Sequence, residues 1–88
     1  MLSLPEELTH ASANACLAQL MTGLQTQADP VVVNAQALSR FDSSALAVLL
    51  EFRRAGAHLG KSVVVQGLPQ RLQDLATLYG IEGLLPIA

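Results

Sequence analysis

Eighty-eight residues, half of them apolar, suffice for one small domain over residues 1–88 with a modest core, and leave no room for a second. Five Lys and Arg against seven Asp and Glu give a net charge of −2, and the only aromatics are Phe41, Phe52 and Tyr79, so neither a phosphate-neutralising surface nor a base-stacking platform is expected, and no nucleic acid as a partner. The single cysteine, Cys16, admits no internal disulfide, the opening MLSLPEELTH lacks the basic start of a signal peptide, and no apolar run nears the roughly 20 residues of a membrane span; the expectation is a soluble cytoplasmic protein that meets a membrane only indirectly, through a complex.

Met1 to Leu8 reads as a short extended segment, with Leu2 and Leu4 alternating around Ser3. Pro5 cannot donate to a sheet ladder and belongs at an edge or a strand end. Thr9 is a candidate N-cap for the next element. Ala13, Cys16, Leu17, Leu20 and Leu24 recur at helical spacing and define one apolar face. Thr26 to Pro30 is a polar loop. Val31-Val32-Val33 is a continuous β-branched run, the pattern of a strand covered on both faces.

Leu38 to Phe41 leads from that strand into Asp42-Ser43-Ser44, where Asp42 or Ser43 caps a second helix. The best stripe of this helix is Ala45, Val48, Leu49, Phe52, Gly56 and Leu59. Leu46, Leu50 and Arg53 form a second stripe beside it. They are either a docking patch rimmed by arginine or part of a helix sunk deeply enough to bury both stripes. Gly60 ends the helix, with Arg53, Arg54 and Lys61 towards its C-terminal half, where the helix dipole favours cations. Val63-Val64-Val65 repeats the strand pattern. Pro69 suits the first turn of a third helix with Leu72, Leu75, Ala76 and Tyr79 inward and Gly80 just past its end. Ile81 to Ala88 is an apolar tail that either adds an extended segment or merely packs. Alternation of strand and helix, three times over, predicts parallel strands joined by right-handed crossovers.

The Asp-Ser-Ser turn aims backbone N–H groups and two hydroxyls at one point, at a helix start that carries roughly half a positive charge. That favours a switchable or docking surface over a catalytic pocket. His10, His58 and Cys16 show no metal-ligand spacing, and Cys16 sits on a core stripe. Nothing in the spacing brings Asp42 and Asp74 together, and no glycine-rich phosphate loop opens a helix. The chain is therefore read as non-enzymatic, without metal or cofactor.

Three blocks carry a family resemblance: Val31-Val32-Val33 before Leu38 to Phe41; Asp42-Ser43-Ser44-Ala45-Leu46; and Val63-Val64-Val65-Gln66-Gly67 followed by Leu72, Leu75, Ala76, Leu78 and Tyr79. Together they resemble the STAS domain of anti-sigma-factor antagonists, sulfate-transporter tails and ABC-transporter accessory subunits. Leu75 to Gly80 and the ending Leu84-Leu85-Pro86 look most like its MlaB group. The resemblance implies an α/β STAS fold, with a small, mostly parallel sheet and helices largely on one face. Such domains commonly open with a strand pair, here shortened to the one segment Met1 to Leu8, and another chain, a homodimer mate or a larger subunit, is expected to cover the gap. It also implies a role: binding the cytoplasmic ATPase of a phospholipid-transport ABC complex through Asp42, Ser43, Ser44, Leu46, Leu50, Arg53, Gln70 and Arg71. The alternatives are an anti-sigma-factor antagonist whose kinase partner phosphorylates Ser43, and a nucleotide-binding module using the start of the second helix. Many family members carry Gly at the position of Ala45.

Overall fold

The two valine triplets lie side by side. In a computed structural model that describes residues 1–85, β3 (Val31–Asn34) and β5 (Val63–Gln66) pair in parallel, with Val31 against Val63, Val32 against Val64 and Val33 against Val65. Parallel pairing needs a long crossover. Here it is supplied by α2 (Ser44–His58), which packs back on β5. α1 (Ala13–Leu24) packs against α2, and α3 (Gln70–Leu78) follows β5.

The N-terminal segment forms two strands of two residues, β1 (Leu2–Ser3) and β2 (Glu7–Leu8), on either side of Pro5. They do not pair with each other. β1 runs parallel to β3, extending the main sheet to the order β1-β3-β5, and β2 runs parallel to β4 (Arg40–Phe41). Pro5 thus stands where its missing N–H interrupts no ladder, and Leu4 donates its N–H to the Asn34 carbonyl at 2.8 Å before the break. The one extended segment expected over Met1 to Leu8 is thus two short strands, broken at Pro5 and paired to different partners.

One core joins the inward face of the sheet to all three helices. Val31, Val33, Val63 and Val65 meet Cys16, Leu20 and Leu24 of α1, Val48, Leu49 and Phe52 of α2, and Leu72 and Ala76 of α3. The helices therefore share one side. Val32 and Val64 face the other way and are half-buried, which corrects the expectation of strands covered on both faces. Valine suits a pleated strand even where only one face is sealed, so continuous apolarity overstated the cover.

Other expectations shift at element ends. Ser12, not Thr9, occupies the N-cap position of α1; its Oγ accepts the Thr9 N–H at 3.1 Å. Leu59 is 46% exposed because α2 has ended at His58, and Tyr79 is 56% exposed because it follows the last turn of α3. Past Tyr79 the chain reverses at Gly80, at φ +72°, and the Ile81 N–H reaches the Ala76 carbonyl at 2.9 Å. Of the apolar tail, Glu82–Leu84 forms a 3₁₀ turn and Leu85 is buried; residues 86–88 lie outside the described residues.

Gly56 sets the depth at which α2 sits. A Cβ there would stand 2.7 Å from Val63 Cγ2 and 3.2 Å from the Lys61 carbonyl oxygen. Its absence lets the helix backbone close on the sheet.

Candidate functional site

The Asp-Ser-Ser turn divides its work among three residues. The Asp42 carboxylate accepts the Ser44 N–H at 2.8 Å through Oδ1 and the His10 N–H at 3.0 Å through Oδ2. It thereby starts α2 and ties that start to the segment leading into α1. The His10 amide, then the Ser44 amide, hold the carboxyl below its usual range, because both bonds favour the ionised form. The N–H groups of Ala45 and Leu46 are accepted by the carbonyls of Asp42 and Ser43, each at 3.1 Å. Ser44 and these two amides are thus engaged within the turn, and the free N–H donors expected there for an anion are used internally.

Ser43 is left at the tip. It holds the N-cap position, its side chain makes no capping hydrogen bond, and it is exposed. Ser44 is half-buried and turns towards α1, lining a groove with His10, Ala13, Leu17 and Ala47. One hydroxyl of the pair therefore faces outward.

The start of α3 comes close to the same turn. The Arg71 guanidinium lies 5.7 Å from the centroid of the Phe41 ring, one residue before Asp42, an arrangement that draws the cation to the ring face. Phe41, Arg71, Asp74, Leu75 and Leu78 line a shallow groove of about 430 Å³. Gln70 is turned along its own helix, donating to Asp74 Oδ1 at 3.0 Å. Leu78 is 77% exposed. Sequence spacing could not reveal the part played by Phe41, Asp74, Leu75 and Leu78, because the groove exists only once β4 and α3 are neighbours.

The second stripe of α2 splits. Leu46 is 2% exposed and belongs to the core, so it is no part of an outer face. Leu50 is half-buried and Arg53 exposed, and both lie on a separate groove with Arg54, Lys61 and Leu84. Gln70 and Arg71 thus share an end of the molecule with Ser43, and Leu50 and Arg53 lie further along α2.

Cys16 is buried on the core face of α1, and burial pushes its thiol pKa up, away from the reactive thiolate. Among the described residues no three His, Cys, Asp or Glu side chains gather as metal ligands, and no helix is long and apolar enough to cross a membrane. A model of the family described as "Mlab, STAS domain" matches residues 1–86. The chain belongs to the MlaB-like STAS domain family. No curated relative matches it. In this STAS domain the family's Asp-Ser-Ser block is thus a turn clamped by Asp42, with Ser43 presented to solvent.

Proposed function

We propose that the protein is a non-enzymatic interaction subunit that binds and supports the cytoplasmic ATPase of an Mla-type phospholipid-transport ABC complex. Family membership supports the coarser half of this reading, since STAS domains generally act as interaction modules. The observation that carries the rest is the spare hydroxyl of Ser43, exposed on a turn that Asp42 already holds in place. A fixed polar group that the fold does not itself use is suited to a partner. Beside it, Phe41 and Arg71 offer a stacked aromatic and guanidinium with exposed Leu78 at the groove edge. Aromatic residues and Arg are enriched where interfaces concentrate their energy.

Docking on this surface loses little conformational entropy, because the turn is already shaped. The Ser43 hydroxyl can donate one hydrogen bond and accept others. The proposed contact set is Ser43, Phe41, Arg71 and Leu78, with Gln70 at its rim; Leu46 acts only through the fold.

The test is affinity capture from native cytosol and membrane fractions, with mass spectrometry of the partner and of Ser43. Recovery of an ABC ATPase with unmodified Ser43 supports the reading. Ser43→Ala should then weaken that binding about tenfold, the equivalent of ~1.4 kcal/mol, with an unchanged Tm. Recovery of a kinase-like protein and phosphate on Ser43 supports the second reading, a phospho-switched anti-sigma-factor antagonist. The same exposed hydroxyl favours it, since a phosphate there adds nearly two negative charges at a helix start.

A further inference from the structure

A groove of about 520 Å³ lies beyond the proposed docking turn, along the C-terminal half of α2. Its apolar lining is Leu50, Ala57, Val63 and Leu84. Arg53, Arg54 and Lys61 supply its charge, three of the five Lys and Arg in a chain whose net charge is −2. Among the described residues no carboxylate lines it. Glu51 meets Arg54 at 3.5 Å from the α1 side, in an exposed pair that water screens. The Lys61 ammonium donates to the Leu24 carbonyl at 2.8 Å, which fixes its position and leaves two further donors.

This groove is joined to the turn by a ridge. Ser43, Ala47, Leu50, Arg54 and Ala57 recur at i, i+4, i+7, i+11 and i+14, one stripe of α2 in which all but half-buried Leu50 are exposed. At about 1.5 Å per residue the stripe runs about 21 Å. A partner seated on Ser43 and extending along α2 arrives at the basic groove.

We propose that the groove receives an acidic, amphipathic segment of the partner protein. Its carboxylates face Arg53, Arg54 and Lys61, and its apolar side chains rest on Leu50, Ala57 and Leu84. The identity of the partner rests on the docking reading above; the chemistry of the occupant rests on the groove alone. A concave site with an apolar floor and one sign of charge on its walls complements a peptide that carries both characters. A lipid surface is flat and meets a protruding face rather than a groove. A small anion needs buried, convergent donors, and both arginines here are exposed.

The experiment places a photo-crosslinking amino acid at Ala57 in one variant and at Ala47 in another, irradiates the full chain in its native cells, and maps adducts by mass spectrometry. Both positions are exposed, so the fold tolerates the change. Ala57 is expected to trap a peptide of net negative charge with apolar residues at helical spacing, from the same protein that Ala47 traps. Arg53→Glu combined with Arg54→Glu should reduce that adduct at least tenfold, with the melting temperature as a control for folding. Trapping of lipid, of a second copy of this chain, or of an uncharged or basic peptide at Ala57 overturns the proposal. So does an empty Ala57 while Ala47 captures a partner. An acidic adduct at Ala57 with nothing at Ala47 upholds the groove chemistry and removes the docking reading instead.

Discussion

At the scale of single residues, Asp42 and Ser43 divide structure from surface. Asp42 holds two amides that belong to different parts of the chain, His10 and Ser44. Its carboxyl titrates below the ordinary 3.8, so its contribution to stability is complete above that value and is lost as the pH falls through the lower folded value. Asp42→Asn is expected to lower the Tm at neutral pH, with the gap to the parent narrowing below pH 3.8, as thermal melts across an acid series would record. Ser43→Ala should melt with the parent throughout, because its hydroxyl caps nothing. Cys16 marks a third kind of residue, an inert one. Only 7% of it is exposed and its thiol is held protonated, so a thiol reagent should label the native protein slowly and the urea-unfolded protein rapidly. The helical spacing of Cys16 with Leu20 and Leu24 already marked it as core, whereas the pair of hydrogen bonds accepted by Asp42 needed the fold to bring His10 near.

Among the elements, α2 carries both the packing and the proposed surface. Its inner side is set by Gly56, and Gly56→Ala should cost about 1–3 kcal/mol as the new methyl displaces Val63, measurable by urea unfolding. Leu46 is the other test of how deep the helix lies. Leu46→Ala is expected to cost about 2–5 kcal/mol, and Leu46→Asp to unfold the chain rather than spare it and weaken a complex; circular dichroism distinguishes the two. The presence of α1 and α2, the valine strands and the glycine stop of α3 were readable from periodicity and punctuation, whereas the start of α1 and the end of α2 were not. The depth of α2 was not, because two adjacent apolar stripes look alike whether one or both are covered. Tyr79 misled for a related reason: its spacing from Ala76 fits a buried stripe, but α3 ends before that stripe is completed. The alternation of Leu2 and Leu4 announced an extended segment but not its division into β1 and β2, and β4 is too short to show any alternation; only their partners define these strands.

Taken whole, the molecule is acidic on balance and basic in one place. A stability of about 4–13 kcal/mol is ordinary for 88 residues, so a single core truncation of the size expected at Leu46 removes a large share of it. The clustering of Arg53, Arg54 and Lys61 neutralises few phosphates against a repulsive net charge. Duplex DNA should therefore show no binding by fluorescence anisotropy at physiological salt. Composition makes the acidic balance legible. It could not show that three of five cations gather on one groove, because Lys61 reaches Arg53 and Arg54 only through the turn that ends α2. The family, too, was visible in the order of its blocks, whereas the outward hydroxyl of Ser43 became evident only when Asp42 was seen holding the turn without it. That division has a consequence for signalling. Because the clamp binds the segments leading into α1 and α2 to one carboxylate, a chemical mark on Ser43 would alter the label the surface displays and leave its shape intact. A partner reading this turn would then be answering to charge, as a reader does to ink, with no motion passing through the domain behind it.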